Sequence, residues 1–333
     1  MTTDVLTPAA GGLACPAGDF VVDPLTATTT SVVTHAHADH ARAVADVVHC
    51  SAEGAAVTRR RLGDAVKIIA HEWGERFQLG DAAVSLHPAG HIRGSAQVRV
   101  EVDGVTWVVS GDYKREEDPT CTPFEVVPCD VFVTEATFAL PIYRWPSTAQ
   151  VVEEIWSWWQ ANAAAGKCSM LFCYALGKAQ RVLAGLRAHT DRSVFVHGAV
   201  SPLTEAYRDE GIQMLPTAPV GKERRSFAGE LVVAPPSASR STWMRRFGAV
   251  QTGFASGWMR VRGRRRGRGW DRGFVLSDHA DWPGIVETVA ATGARRVLAY
   301  HGRADLLVAY LRDRGVDAAP LAGSTGSRSM EED

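Results

Sequence analysis

Four side chains that can bind a metal ion lie within a single run of six residues. The run is His35-Ala36-His37-Ala38-Asp39-His40, and it directly follows the short predicted strand Ser31-Val32-Val33-Thr34. Imidazole and carboxylate ligands together suit zinc, iron or manganese. Because a loop at the end of a strand can turn several side chains toward one point, this spacing predicts a metal site rather than an exposed histidine-rich turn.

Three further ligand-type residues each follow a predicted strand. They are His91 in Ala89-Gly90-His91, Asp112 in Ser110-Gly111-Asp112, and His301 in Tyr300-His301-Gly302. Alone, each is typical of a capping or hydrogen-bonding residue, and His87 is an alternative to His91. Together with the first run they complete a set of seven ligands.

Seven ligands are enough for two ions that share one carboxylate. Two divalent ions about 3.5–4 Å apart can clamp the attacking and leaving oxygens of a phosphodiester and activate a water between them. We predict Asp112 as the shared ligand. One ion would take His35, His37 and His91, and the other would take Asp39, His40 and His301. Zinc is the first expectation because imidazole dominates the set, with manganese or iron as alternatives.

The elements that must position these residues alternate along the chain. Residues 13–133 contain short apolar runs separated by Gly, Pro and Asp, which predicts strands, including a hairpin at 13–22 and a helix at 39–48. Residues 141–274 alternate helices and strands as in a parallel sheet, beginning with a helix at 151–165 capped by Ser147. The first pattern returns afterwards. The prediction is an α/β protein with domain bounds 1–140, 141–274 and 275–333.

Composition narrows the class of protein. The net charge is −1, so any nucleic-acid partner must be bound by a local basic patch. The six cysteines form no C-x-x-C pair, which argues against a thiolate zinc site and favours free thiols in a reducing compartment. We find neither a signal sequence nor an apolar run of the roughly 18 residues that a membrane helix needs. The expectation is a cytoplasmic protein without membrane contact.

The ligand pattern resembles the metallo-β-lactamase superfamily. A long stretch lies between Asp112 and His301. It is entered through Thr134-Glu135-Ala136-Thr137-Phe138 and left through Leu276-Ser277-Asp278-His279-Ala280-Asp281. These two segments resemble motifs of the β-CASP nucleases. The resemblance covers residues 13–322 and implies a metallo-β-lactamase αββα sandwich with an inserted β-CASP-like α/β domain.

Three other segments resemble the bacterial ligase-associated DNA-repair exonucleases, which are Artemis-like. They are residues 15–20 (CPAGDF), 175–181 (ALGKAQR) and 256–260 (SGWMR). This resemblance implies a 5′ exonuclease acting on DNA in repair, with an ATP-dependent DNA ligase and a helicase as partners in the same pathway. An RNA-processing β-CASP ribonuclease is the alternative, because metal ions contact phosphate rather than the 2′-hydroxyl. A small-molecule metallo-hydrolase or a metal-free binding scaffold fits the long insertion and the complete ligand set less well.

Three residues outside the ligand set are expected to assist the metals, in addition to the ligands Asp39 and Asp112. Glu135 would orient His279, which would protonate the leaving oxygen as a general acid. Glu135 as a simple helix cap is the alternative. Asp23 resembles the family's first motif and would hydrogen-bond a ligand histidine, although a surface turn would also place an Asp before Pro24.

A basic segment is the candidate nucleic-acid contact. Seven arginines lie in the thirteen residues 260–272, interleaved with glycines. A flexible, solvated loop is the alternative. Trp258 or Trp270 would stack on a base, and Lys178 and Gln180 would hold a phosphate at a helix N-terminus, unless they only lie on a helix face. The predicted contacts are Lys178, Gln180, Arg260, Arg262, Arg264, Arg265, Arg266 and Arg268.

Overall fold

The protein was analysed as a computed structural model, which describes residues 4–9, 11–221, 225–261 and 269–322. The described residues fall into two compact units. The first holds residues up to 144 and from 279 onward, and the second holds residues 145–278. The inserted domain was expected at 141–274. Its identity as a β-CASP-like domain stays a prediction here.

The first sheet of the first unit has six strands in their sequence order. Its first three strands are antiparallel, so the predicted hairpin at 13–22 is present as β2 and β3, and the remaining pairs are parallel. The strands are β1 (Thr7–Ala9), β2 (Gly12–Cys15), β3 (Phe20–Val22), β4 (Thr28–Val32), β5 (Ala45–Ser51) and β6 (Lys67–His71).

The second sheet has seven strands in the order β19-β18-β11-β10-β9-β8-β7. Strands β7 to β10 form an antiparallel meander, and β10, β11, β18 and β19 pair in parallel. The strands are β7 (Arg76–Leu79), β8 (Ala82–Pro88), β9 (Ala96–Val102), β10 (Val105–Val109), β11 (Val131–Glu135), β18 (Arg296–Tyr300) and β19 (Asp317–Pro320).

These two sheets pack face to face around one apolar core. Val22 and Val32 of the first sheet and Val98, Val109 and Val133 of the second are each at most 3% exposed. Side chains alternate along a strand, so one face of each sheet can be apolar throughout. The loops that carry the candidate ligands follow β4, β8, β10 and β18, and the core therefore fixes where all of these loops begin.

Helices cover the outer faces of both sheets. Helix α1 (Ala55–Leu62) packs Leu62 with residues of the first sheet. Helices α5 (Trp282–Thr292) and α6 (Ala304–Arg312) pack on the second sheet. Helix α5 begins where Asp281 accepts a hydrogen bond from the Gly284 amide (3.0 Å) and ends at Gly293, whose φ is 65°. The first unit is thus layered helix, sheet, sheet, helix, and the predicted α/β class is confirmed.

The second unit is built on a six-stranded sheet whose pairs are all parallel, in the order β14-β13-β15-β12-β16-β17. The predicted Ser147 cap is present, because its hydroxyl accepts a hydrogen bond from the Gln150 amide. The strands are β12 (Cys168–Phe172), β13 (Val194–Val196), β14 (Thr217–Pro219), β15 (Leu231–Ala234), β16 (Val250–Ala255) and β17 (Arg272–Phe274). The helices are α2 (Thr148–Ala164), α3 (Lys178–Gly185) and α4 (Ser201–Asp209).

The helix predicted at 39–48 is wrong. Residues 38–40 form a turn, and the chain then enters β5, which pairs in parallel with β4 and β6. The β-branched Val47 and Val48 favour a strand, and pairing on both sides outweighs the helical spacing. All six cysteines lie in the described part and are free, as predicted. No described helix is long and apolar enough to cross a membrane.

Candidate metal centre

The first ligand group contains His35, His37, His91 and Asp112. One donor atom from each lies within 4.8 Å of all the others. Nε2 of His35 and Nε2 of His91 are both 3.1 Å from Nδ1 of His37. Carboxylate oxygen Oδ2 of Asp112 lies 3.6 Å from His35 Nε2. The loops after β4, β8 and β10 therefore bring together three imidazoles and one carboxylate that are distant in sequence.

The second group shares Asp112 and adds His40 and His301. Nε2 of His40 is 3.6 Å from Asp112 Oδ2. His301 follows β18 with a φ of 61°, a left-handed conformation that is uncommon for a residue with a side chain. Asp39 is placed beside this group rather than within it, with Oδ2 3.8 Å from His40 Nε2 and most of its side chain exposed. Asp112 is thus the residue common to both groups.

Two buried polar atoms in these groups have no hydrogen-bond partner among the described residues. They are Nε2 of His40 and Oδ1 of Asp112. A buried polar atom without a partner costs folding free energy, so such atoms normally indicate a ligand or water. Cations in the two groups would satisfy both atoms. The donor set therefore fits divalent metal ions, and Asp112 can contact both positions.

The lowered pKa values of His35 and His301 agree with a role as metal ligands, because a ligand histidine must be neutral. Burial, followed by repulsion from His40, lowers the pKa of His35 well below its ordinary value. Burial and the charge of His40 lower the pKa of His301 to about 4. At His40 burial is outweighed by Asp112, Asp39 and Asp23, which raise its pKa to about 10. The carboxylates thus favour a positive charge at His40, and a metal cation meets the same preference.

Asp23 fixes the orientation of His40. Its Oδ2 lies 2.7 Å from His40 Nδ1, so the opposite nitrogen of that ring faces the ligand group. The carboxylate also accepts hydrogen bonds from the amide (2.8 Å) and hydroxyl (2.6 Å) of Thr34. The alternative prediction, that Asp23 is only an exposed turn residue, is therefore wrong. Thr34, which the sequence did not single out, ties Asp23 to the first residue of the ligand run.

Glu135 and His279 form a buried pair next to the shared ligand. Nδ1 of His279 lies 3.0 and 2.9 Å from the two carboxylate oxygens of Glu135. It also lies 4.0 Å from Asp112 Oδ2. Burial raises the pKa of Glu135, but His279 and the hydrogen bonds of Thr137 and Tyr113 outweigh it and hold that pKa below its ordinary value. Glu135 is the last residue of β11 and does not cap a helix.

The loop of His91 contacts a partly buried carboxylate that sequence spacing did not reveal. Glu53 accepts hydrogen bonds from Arg93 (3.1 Å) and from the indole of Trp73 (3.0 Å). It also accepts from the amide (3.1 Å) and hydroxyl (2.6 Å) of Thr122. Glu53 therefore joins three segments around the His91 loop.

A close backbone contact holds the same loop. A Cβ atom on Gly94 would lie 2.1 Å from Gly54, so neither position has room for a side chain. Ser95 accepts a hydrogen bond from the His91 amide at 2.9 Å. His87, the alternative ligand, instead contacts Ser85 (3.1 Å) and Glu125 (3.2 Å), away from both ligand groups. The structure thus favours His91.

Comparison with curated proteins finds similarity to a probable DNA ligase, to an endoribonuclease and to a cleavage and polyadenylation specificity factor subunit. The chain is 35% identical over 292 residues to the probable DNA ligase of Opitutus terrae, covering 86% of this chain and 28% of that protein. It is 31% identical over 137 residues to endoribonuclease YSH1 of Yarrowia lipolytica, covering 39% of this chain and 16% of the relative. Over 111 residues it is 29% identical to cleavage and polyadenylation specificity factor subunit 3 of Dictyostelium discoideum, covering 33% and 14%.

These matches extend the resemblance carried by the ligand runs. The chain belongs to the β-CASP group of the metallo-β-lactamase superfamily. It spans little more than a quarter of the probable DNA ligase and about a sixth or less of the other two relatives. No family model matches the chain. A crystal structure of a protein of unknown function from Enterococcus faecalis V583 shares the fold, with a TM-score of 0.55 at 11% identity over 81% of this chain and 75% of that one.

The predicted nucleic-acid contacts of this β-CASP protein are only partly described. Arg260 is exposed, but Arg262, Arg264, Arg265, Arg266 and Arg268 lie outside the described residues. Trp258 is 8% exposed, which leaves little surface for a base to stack on. Trp270 packs on Phe172 with ring centroids 4.6 Å apart.

The prediction for Lys178 and Gln180 is wrong. Both side chains are at most 1% exposed. Nζ of Lys178 lies 3.1 Å from Asp278. Gln180 accepts a hydrogen bond from the Gly177 amide (2.7 Å) and donates to the hydroxyl of Thr204 (3.0 Å). The Gly177 amide and the Lys178 amine, which a phosphate would need, are therefore already bonded to other groups of the chain.

Proposed function

We propose that this β-CASP protein is a metal-dependent nuclease that hydrolyses phosphodiester bonds of DNA, as a 5′ exonuclease in repair. The observation that carries the proposal is the position of Asp112, which belongs to both ligand groups and lies 4.0 Å from His279. In this proposal the first unit is the metallo-β-lactamase sandwich and the second is the inserted β-CASP-like domain.

Two divalent ions, zinc first, would be held by the six residues of the two groups together with Asp39. His35, His37 and His91 would hold one ion, and Asp39, His40 and His301 the other. Asp112 would contact both. When bound, such ions neutralise phosphate charge and activate water as a nucleophile. Asp23 would keep His40 in its ligating orientation, which is the usual role of a carboxylate behind a ligand histidine.

His279 is suited to move a proton onto the leaving oxygen. Glu135 accepts the hydrogen bond of Nδ1, so the proton on Nε2 is the one that can be transferred. Burial of both side chains excludes water from the pair and keeps the imidazole in one orientation. A general acid placed in this way contributes typically about 10²–10⁴-fold to the rate.

Support for DNA rather than RNA comes from the relatives. The longest match of the three is to a protein named a probable DNA ligase, whereas the fungal relative is named an endoribonuclease. We therefore propose that the chain acts beside an ATP-dependent DNA ligase and a helicase. RNA processing remains the second candidate, because a relative named an endoribonuclease matches the chain over 137 residues and a cleavage and polyadenylation specificity factor subunit matches it over 111.

Side-by-side digestion of end-labelled DNA and RNA of one sequence tests the proposal. The purified protein is reconstituted with zinc or manganese, and Asp112→Asn serves as the matched inactive control. We expect mononucleotides to be released from the 5′ end of DNA by wild type alone. Faster cleavage of RNA would overturn the choice of substrate. Equal activity of the Asp112→Asn variant would overturn the metal mechanism.

A further inference from the structure

A basic and aromatic surface lies on the second unit at the carboxyl edge of its sheet. Two short 3-10 helices, Pro236–Arg240 and Thr242–Arg246, follow β15. His197 follows the neighbouring strand β13, which pairs with β15 in parallel. Ligands of open parallel sheets bind where the carboxyl ends of adjacent strands meet. This edge is therefore a place where the fold can present a binding surface.

The charges on this segment are not neutralised within the part of the chain that the structure describes. Arg240, Arg245 and Arg246 are exposed, and none of them forms an ion pair with a described carboxylate. Residues 231–250 contain these three arginines and no acidic residue. In a chain whose net charge is −1, such a concentration of guanidinium groups favours an anionic ligand.

An aromatic side chain stands among these arginines. The Trp243 ring is partly exposed and contacts His197 and Phe247, with centroids 4.9 and 4.6 Å apart. Phe247 is buried and packs in turn on Phe227 at 4.8 Å. The segment is thus fixed to the unit by its buried rings, while part of the indole remains available. A held aromatic ring beside arginines is the arrangement that single-strand binders use for stacking a base and contacting its phosphates.

We propose that the surface formed by Arg240, Trp243, Arg245 and Arg246, here called the Trp243 surface, binds a single strand of nucleic acid. The proposal rests on the proposed nuclease function, since it names a second place where that substrate is held. The arginines contact phosphates and the indole stacks on a base. An acidic protein would use the same charges but would gain nothing from the indole.

Equilibrium binding of a fluorescent, phosphorothioate-linked single strand of about 20 nucleotides tests the surface. The variants are Arg240→Gln with Arg245→Gln, and separately Trp243→Leu, all in the full metal-loaded chain. Arg187→Gln is the matched control, because Arg187 is an exposed arginine on another short helix of the same unit.

The two variants should fail in different ways. Losing two phosphate contacts should weaken binding and lower the slope of log affinity against log salt by about 1.4. Losing the stacking ring should weaken binding at least about fivefold and leave that slope unchanged. The Arg187 control should bind as wild type. Unchanged binding by the double arginine variant overturns the proposal, whether or not Trp243→Leu folds.

A small phosphodiester separates this proposal from the nuclease function. Hydrolysis of bis(p-nitrophenyl) phosphate requires the metal centre but no strand contact, so every variant should match wild type. If the variants hydrolyse this substrate as wild type does and also bind the strand as wild type does, the proposed role of the Trp243 surface is refuted and the nuclease function stands. If the wild-type protein hydrolyses neither this phosphodiester nor a nucleic-acid strand, the proposed nuclease function is refuted. Displacement of the strand by polyglutamate as efficiently as by competing DNA overturns nucleic acid as the ligand.

Discussion

The imidazole of His279 points one nitrogen at Glu135, with Nδ1 2.9 Å from Oε2 and both side chains buried. The two residues are 144 positions apart in the chain. A buried carboxylate stays charged only when a partner compensates its lost hydration, and His279 is that partner. The pair is therefore a charged, hydrogen-bonded unit beside Asp112, which is the arrangement that the proposed general acid requires.

We expect His279→Ala to retain the bound metal and to lose about 10²–10⁴-fold in the rate of strand cleavage. The reason is that the ring lies beside the ligand groups and contacts the shared carboxylate only at 4.0 Å. Elemental analysis and single-turnover cleavage check the two parts. Wild-type cleavage by the variant would refute the role of His279 as general acid.

The shared ligand should behave differently from His279. Asp112→Ala removes the one carboxylate common to both groups, so we expect loss of bound metal together with loss of activity. Metal content by mass spectrometry and circular dichroism are measured on the same sample, the latter to show that the fold persists. A folded variant with full metal content would contradict the bridging position of Asp112.

Glu53 should influence metal affinity without touching a ligand. Glu53→Gln replaces an acceptor of four hydrogen bonds around the His91 loop with an amide that cannot satisfy all four donors. We expect metal affinity to fall about 10–100-fold, as for other supporting residues of metal sites. Competition with a chelating dye measures this. Glu117→Gln, at an exposed position, is the control, and equal affinities for both variants would exclude the proposed support.

A buried histidine pair should make the stability of the first unit sensitive to acid. Nδ1 of His49 lies 2.8 Å from Nε2 of His71, and the ring of His71 stacks on Phe77 at 3.5 Å. Burial, then His71 and Lys67, lowers the pKa of His49 from 6.5 to about 4. Between these two values the unfolded chain binds a proton that the folded chain does not. The stability from this group is complete above pH 6.5 and is lost as the pH falls toward 4.

Thermal unfolding at several pH values tests this for His49→Gln. The variant should be less stable than wild type at pH 7, and the difference should shrink as the pH falls from 6.5 toward 4. His189→Gln in the second unit is the matched substitution that controls for the loss of a histidine elsewhere in the chain. A constant difference for His49→Gln would show that His49 does not titrate as described.

Much of the ligand set could be located from the sequence, because its members follow apolar strands. His35, His37 and His40 could be recognised as ligands by their spacing. Asp112 and His301 could be recognised because each follows a β-rich run. The layered α/β class followed from the same runs. The packing of the two sheets brings these residues together. The position of Asp39 outside the two ligand groups could not be predicted from its spacing in the sequence.

Other features depend on partners that no local pattern reveals. Lys178 follows Gly177, as a phosphate-binding helix start would, yet its amine pairs with Asp278, a hundred residues later. Glu53 gains its importance from Trp73, Arg93 and Thr122 on other segments. Long-range pairing between buried groups is set by tertiary packing, and for that reason propensity and spacing predicted neither contact.

The chain order of the ligands has a consequence for biosynthesis. All members of the first group occur by residue 112, whereas His301 of the second group is made only after the whole inserted unit. Protein chains emerge from the ribosome N-terminus first. A nascent chain can therefore assemble one ligand group while the other is still incomplete. A centre that needs both groups is therefore complete only near the end of translation.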